Sequence, residues 1–267
     1  MKLDWSLMRD LMRVDLLTMK GGKNNSRTIF IVMLVFFWAT GFFVSPIAGV
    51  YIPFLLGAVF VITLFGNEIK YHSGQIWALL PVSRKDIVNA RFLLCIGIFL
   101  ITCAATYLMM LLAMPLRLWS LLMDGDDVEI LSMTAEKLGM SPMGLLNAAY
   151  FAAVAFGLVC MTGTLRRYFR DPNAFDGQLQ FTQKLKKAGK AENFIGILII
   201  AAIVLWALIA CGILPVGPVW SMAGAFLMQL MQAANGFIMA TVLLTMAVMH
   251  SVYSYICTVI EYEAKEL

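Results

Sequence analysis

The chain has 267 residues, of which 61% are hydrophobic and only 13% are charged. Soluble globular domains carry about 25% charged residues, so this chain has too little charge to cover the surface of a water-soluble protein of its size. The composition argues against a soluble enzyme or nucleic-acid-binding protein and predicts a polytopic membrane protein whose outer surface contacts lipid. The net charge of +4 indicates nothing about partners until the basic residues are placed along the chain.

Residues 1–26 predict a cytoplasmic helix that lies on the membrane surface. At 100° per residue, the basic and the apolar side chains of residues 2–20 fall on opposite stripes. The basic stripe consists of Lys2, Arg9, Arg13 and Lys20, and the apolar stripe of Leu3, Leu7, Met8, Leu11 and Val14. Asp4 and Asp15 lie near the apolar side and interrupt this pattern. Such stripes are typical of an interfacial helix on anionic lipid, and a merely solvated lead-in helix is the alternative.

Long stretches without charged residues predict an all-α membrane protein with six transmembrane helices, because one span needs about 20 apolar residues. The predicted spans are residues 28–46, 50–66, 92–116, 141–165, 194–213 and 236–260, in a single transmembrane domain over residues 1–267. Residues 219–235 are apolar but short, and they contain Gln229, Gln232 and Asn235. We expect a re-entrant or outer-leaflet helix there, with a seventh span as the alternative.

The distribution of Lys and Arg predicts the orientation in the membrane. With six spans, 18 of the 20 basic residues lie on one side, in segments 1–27, 67–91, 166–192 and 261–267. Basic residues mark the cytoplasmic side, so we expect both termini to be cytoplasmic. The acidic connection 117–140 is then external.

The connection between the second and third spans, residues 67–91, predicts a short cytoplasmic helix over residues 68–80. One face of this helix is apolar, and it consists of Ile69, Ile76, Leu79 and Leu80. Pro81 ends the helix, because the residue before a proline avoids helical geometry. A rigid helix between two spans is suited to passing mechanical force from a soluble partner into the membrane.

Ser83 and Asp86 form a capping-box pattern that predicts the start of the next helix. Arg84 and Lys85 then lie in its first turn. The helix dipole disfavours cations at that place by about 0.3–1 kcal/mol. Membrane topology, lipid phosphates or a protein partner must therefore explain these two residues.

The run Leu80-Pro-Val-Ser-Arg-Lys-Asp-Ile-Val-Asn-Ala-Arg91 resembles the segment after the second span in permease subunits of type-2 ABC exporters. The six-span layout and the interfacial first helix fit that family as well. The resemblance implies that residues 68–80 are a coupling helix that docks into a groove of a separate ATPase subunit. The residues it places at this contact are Glu68, Lys70, Tyr71, Gln75, Trp77, Pro81, Arg84 and Lys85. The long basic connection 166–192 is predicted to be a second ATPase contact.

The resemblance also implies the partners and the location of the protein. We expect two copies of a cytoplasmic ABC ATPase, which bind ATP and magnesium, and a second permease that is a copy or a close relative of this chain. The location would be the bacterial cytoplasmic membrane. No nucleic acid is expected as a partner.

The chain carries no residue pattern for its own catalysis. It has no GxxxxGK[ST] run for ATP, no HExxH and no GxSxG. We therefore expect no enzyme activity, no metal site and no cofactor in this chain. The candidate substrate path consists of Gln229, Gln232, Asn235 and His250. An ionisable residue inside a span indicates a functional site, and the alternative for His250 is a neutral imidazole bonded to a neighbouring helix.

The predicted function is ATP-driven export of amphipathic or hydrophobic substrates, such as antimicrobial or toxin peptides, drugs or lipids. One alternative is a secondary transporter, which the lack of carboxylates inside the spans and of repeat symmetry disfavours. The other is an integral-membrane enzyme, which the missing catalytic set disfavours.

Overall fold

The computed structural model describes residues 5–18, 26–43, 46–71, 82–113, 126–171 and 232–264. This part of the chain contains seven α-helices and one 3₁₀ turn. They are α1 (Trp5–Thr18), α2 (Ser26–Phe43), α3 (Pro46–Tyr71), α4 (Arg84–Ala113), α5 (Asp126–Lys137), α6 (Pro142–Arg170), the 3₁₀ turn Ala233–Gly236 and α7 (Phe237–Glu263). Within these ranges there is no strand, so the predicted all-α fold class is confirmed.

The described helices belong to one compact unit, which comprises Met1–Phe175 and Met231–Leu267. A second unit, Asp176–Leu230, lies outside the described residues, and so does the predicted span 194–213. Helices occupy the positions of the other five predicted spans. By length and composition, α4, α6 and α7 can cross a membrane, and the count of six spans stays a prediction.

The helix that contains the third span begins eight residues before the predicted boundary at Phe92. The helix starts early because Ser83 caps it. The Ser83 hydroxyl accepts a hydrogen bond from the Asp86 backbone N–H at 3.1 Å and donates one to the Asp86 carboxylate at 2.6 Å. α4 therefore starts at Arg84, and it ends at Ala113 rather than at residue 116. The predicted capping box is confirmed.

α6 begins as the sequence indicates, at a serine followed by a proline. The Ser141 hydroxyl accepts the Gly144 backbone N–H at 3.0 Å, and Pro142 takes the first helical position, where its missing N–H is not needed. The turn before it contains Gly139 with a φ of +64°, a conformation that glycine adopts without strain. The predicted external connection contains the helix α5, which packs against α6.

α6 lies at the centre of the bundle and packs mainly against α3 and α7. Its closest approach to α3 is a crossing of two glycines. A Cβ atom added to Gly57 would lie 2.1 Å from the Gly157 carbonyl oxygen, and one added to Gly157 would lie 2.3 Å from the Pro53 carbonyl oxygen. Small residues allow transmembrane helices to approach this closely. In the sequence, Gly157 and Gly163 of the fourth predicted span indicate close helix packing, since small residues allow it. The structure shows such packing at Gly157, whereas a Cβ added to Gly163 would have nothing within 4 Å.

Candidate functional site

Four helices meet at one end of the bundle through charged and hydrogen-bonding side chains. α1 lies there beside the first turns of α4, together with the last turns of α6 and α7. We call this region the ionic end. Its main residues are Asp15, Arg84, Asn89, Arg91, Arg166, Tyr168, Tyr255, Glu261 and Tyr262.

Arg91 forms a buried ion pair with Asp15 that joins α4 to α1. The guanidinium donates from Nε to Oδ2 at 3.3 Å and from Nη2 to Oδ1 at 3.2 Å. Both side chains are almost fully buried, with 3% of Arg91 and 2% of Asp15 exposed. Two parallel bonds of this kind fix the orientation of both groups, and they compensate for part of the cost of removing the charges from water.

A third hydrogen bond and three aromatic rings complete the surroundings of Arg91. Its Nη1 donates to the Tyr168 hydroxyl of α6 at 3.0 Å. The guanidinium carbon lies 4.6 Å from the centre of the Phe65 ring, 5.4 Å from that of Tyr168 and 5.8 Å from that of Phe169. These distances are within the range of cation–π attraction. One side chain of α4 thus contacts α1, α3 and α6.

Asp15 interrupts the apolar stripe of α1 because it lies on the buried face of that helix, where it pairs with Arg91. Met8 and Leu11 of the predicted apolar stripe are buried against the bundle, and Asp15 is buried beside them. Val14 remains exposed, and so do Arg9 and Arg13 on the basic stripe. A carboxylate on a buried face needs a partner, and that requirement was the signal in the sequence for a contact such as the one with Arg91.

The first two turns of α4 also bind α7. The Arg84 Nη1 donates to the backbone carbonyl of Tyr262 at 3.2 Å, and the guanidinium lies 5.9 Å from the Tyr262 ring centre. This carbonyl belongs to the last turn of α7, where the helix dipole favours a cation. Arg84 is therefore unfavourably placed for its own helix and favourably placed for its neighbour. One turn later, Asn89 accepts a hydrogen bond from the Tyr255 hydroxyl at 2.5 Å.

A second ion pair joins α6 to α7 at the same end. The Arg166 Nη2 donates to the Glu261 Oε1 at 2.5 Å, and the two side chains are 26% and 34% exposed. Within the described part of the chain, Arg166 Nε and Glu261 Oε2 have no hydrogen-bond partner. This pair uses one bond where the Asp15–Arg91 pair uses two.

The residues predicted to contact an ATPase fall into three groups. Glu68, Lys70 and Tyr71 belong to the last turns of α3, which continues to Tyr71. Arg84 and Lys85 begin α4. The remaining three, Gln75, Trp77 and Pro81, lie outside the described residues. The separate coupling helix over 68–80 therefore stays a prediction.

The described residues of the predicted substrate path do not come together. Gln232 is exposed and donates to the Leu138 carbonyl at 3.0 Å, and Asn235 is part of the 3₁₀ turn before α7. His250 lies about 20 Å further along α7, at 1.5 Å per residue from its start. It is half-buried, with its Nε2 3.3 Å from the Ser254 hydroxyl of its own helix. Gln229 lies outside the described residues.

A cavity of about 460 Å³ opens beside the ionic end, between α1, α4, α6 and α7. Its walls are almost entirely apolar, and the Asn89–Tyr255 pair closes its polar end. In the ranges that the structure describes, no group of three or more His, Cys, Asp or Glu side chains could hold a metal ion. The contacts of the ionic end therefore fix helices relative to one another.

Comparison with known families gives one match. Residues 10–123 match the family model described as ABC-2 family transporter protein. The matched segment contains Asp15, Arg84 and Arg91, and it runs from within α1 to beyond the end of α4. No curated protein and no solved structure matches the chain significantly.

Proposed function

From the match of residues 10–123, which supports an ABC-2 type permease, we propose that this chain is the membrane subunit of an ATP-driven ABC exporter. One structural observation carries the proposal. The first turns of α4, which directly follow the predicted coupling segment 68–80, bind three other helices through Arg84, Asn89 and Arg91.

This arrangement suits the transmission of force into the membrane. A coupling helix over 68–80 would dock on the ATPase, and α4 begins immediately after it at Arg84. Arg84 bonds to α7, and Arg91 bonds to α1 and α6. When ATP binding closes the ATPase pair, a shift of the coupling segment would move α4 and these three helices together. The ATP and magnesium would be bound by the partner subunits.

The proposed assembly contains two ATPase subunits and a second permease, either identical or related, in a bacterial cytoplasmic membrane. The positive-inside rule supports a cytoplasmic position for the ionic end, since it contains the basic segments at the ends of α4 and α6. The proposed substrates are amphipathic or hydrophobic molecules. Residues 92–113 of α4 and residues 237–260 of α7 contain no Asp, Glu, Lys or Arg. Pathways for small ions use buried ionisable groups, so this composition supports an amphipathic or hydrophobic substrate over a small ion.

The test is co-purification of the chain with a Walker-motif ATPase encoded next to it. We expect a stable complex whose vanadate-sensitive ATP hydrolysis depends on the permease. The variants Trp77→Ala and Arg84→Ala should reduce this hydrolysis several-fold. Lys137→Ala, an exposed basic residue at the other end of the bundle, should leave it unchanged.

Two results would contradict the proposal. In the first, no ATPase associates with the chain. In the second, a complex forms but both variants hydrolyse ATP like the wild type. Transport that stops when the proton gradient is collapsed, and continues when ATP is depleted, would instead support a secondary transporter.

A further inference from the structure

The cavity beside the ionic end is a groove that is closed towards the bundle and open at its sides. Its floor consists of buried residues, among them Met8, Phe92 and Leu158. Its rim consists of exposed apolar residues, which are Trp5, Leu93, Leu100, Val248 and Val252. Because α4 and α7 are apolar enough to cross a membrane, we expect this rim to face the acyl chains of the bilayer.

The length of the groove matches one leaflet. Along α4 it extends from Asn89 to Leu100, which is about 16 Å at 1.5 Å per residue. The hydrocarbon core of a bilayer is about 30 Å thick, so one leaflet contributes about half of that. The volume of about 460 Å³ is typical of a site for one small molecule or one chain.

The polar end of the groove lies next to one basic residue, Lys85. It precedes Asn89 by four residues on α4, so it lies one turn from this lining residue on the same face. Helical side chains tilt towards the helix N-terminus, which for α4 is the ionic end. We therefore expect Lys85 to extend from the groove towards the level of the lipid headgroups.

We propose that this groove binds one anionic phospholipid, with an acyl chain between α4 and α7 and the phosphate at Lys85. The single-leaflet length and the open rim fit an acyl chain, and the Lys85 cation at the polar end complements an anionic headgroup. The bound chain would fill the gap between α1 and α7, since Trp5 and Val252 line the same cavity. The proposal concerns the chain itself and does not rest on the presence of an ATPase.

Native mass spectrometry of the purified chain tests the proposal. The probes are phosphatidylglycerol and phosphatidylcholine with identical acyl chains. We expect wild-type protein to retain one phosphatidylglycerol in preference to phosphatidylcholine. A single basic residue near the headgroups contributes about 1 kcal/mol, so Lys85→Gln should reduce phosphatidylglycerol retention about fivefold. Lys137→Gln, at the other end of the bundle, should have no effect.

A groove-filling variant tests the acyl-chain part. Ile96→Trp should abolish retention of both lipids, because Ile96 lines the groove. Ile101→Trp is the matched control, since Ile101 lies on the same helix, is 71% exposed and does not line the cavity. Equal retention of the two headgroups by the wild type, or unchanged retention by Ile96→Trp, would overturn the proposal.

A second measurement needs no variant and remains decisive if Ile96→Trp does not fold. Phosphatidylglycerol with a photoreactive diazirine in its acyl chain is crosslinked to the wild-type chain, and the labelled residues are mapped. We expect label at Ile96, Leu100 and Val252, and little at Ile101 or Leu108 on the other side of α4. Label spread evenly around α4 would mean that the lipid is part of the general lipid layer around the protein, and it would contradict a specific site.

Discussion

The helices of this bundle contact one another in two different ways. At the ionic end, long polar side chains join α4 to α1, α6 and α7, as in the Asp15–Arg91 pair. At the crossing of α3 and α6, Gly57 and Gly157 allow backbone to contact backbone, with no side chain between them. The first contact depends on directional bonds between charged groups, and the second on shape.

This difference separates the parts of the bundle that can rearrange from those that cannot. Hydrogen bonds and ion pairs can break and re-form with new partners when helices shift. A glycine crossing has no alternative partners, because any separation loses its van der Waals contacts. If the protein changes conformation during transport, we expect the movement at the ionic end, with α3 and α6 moving as a unit.

The largest expected effect comes from breaking the buried ion pair. Asp15→Ala leaves the Arg91 charge buried without its carboxylate, which we expect to destabilise the protein by about 3 kcal/mol. The measurement is thermal unfolding in detergent. Asp10→Ala is the matched control on the same helix, because Asp10 is 67% exposed and lies 3.9 Å from Arg9. That control should change stability by less than about 0.5 kcal/mol.

A double variant separates the cost of the unpaired charge from the loss of the contact. Asp15→Leu combined with Arg91→Met removes both charges and replaces them with apolar side chains of similar size. We expect most of the lost stability to return, since buried ion pairs replaced in this way are often neutral. A double variant as unstable as Asp15→Ala would show that Arg91 acts mainly through Tyr168 and the rings around it.

The glycine crossing should be nearly as sensitive, but for a steric reason. Gly157→Ala places a Cβ about 2.3 Å from the Pro53 carbonyl oxygen, so α3 and α6 must separate. Overpacking of this kind destabilises by about 1–3 kcal/mol. Gly163→Ala on the same helix meets nothing within 4 Å and should gain up to about 1 kcal/mol from helix propensity. Equal unfolding temperatures for the two variants would contradict the crossing.

The local features of this fold could be predicted from the sequence, whereas the contacts between distant segments could not. Ser83 and Asp86 lie three residues apart, and Ser141 directly precedes Pro142, so both helix starts follow from neighbouring residues. Arg91 and Asp15 are 76 residues apart, and only the packing of α1 against α4 brings them together. The sequence pointed to Gly157 as a packing residue but contained no indication that Gly57 would be its partner.

The predicted roles of single residues show the same limit. Arg84 was recognised as unfavourable in its own first turn, but its partner is a backbone carbonyl 178 residues further along the chain. A backbone acceptor has no sequence signature, so the charge could be noticed and its contact could not. Asp15 was noticed only as an interruption of the apolar stripe, and its buried partner Arg91 was not predicted.

The two serine caps allow stability to be separated from coupling. Ser83→Ala and Ser141→Ala each remove one hydrogen bond to a free backbone N–H, and each should lower stability by about 1 kcal/mol. Ser83 lies at the ionic end beside the predicted coupling segment, whereas Ser141 lies at the other end. In the proposed complex with an ATPase, only Ser83→Ala should also reduce permease-dependent ATP hydrolysis. Equal hydrolysis by both variants would show that the start of α4 carries no force.

The smallest effect is expected at the second ion pair of the ionic end. Arg166 and Glu261 are partly exposed and share one hydrogen bond, so Glu261→Gln should lower stability by less than about 1 kcal/mol. Exposed charges are screened by salt, so the difference from wild type should shrink further at high ionic strength in unfolding measurements. A loss of more than about 2 kcal/mol that persists in high salt would mean that this pair behaves as a buried one. The ionic end would then be held by two equivalent ion pairs, and α7 would be fixed to α6 as firmly as α1 is to α4.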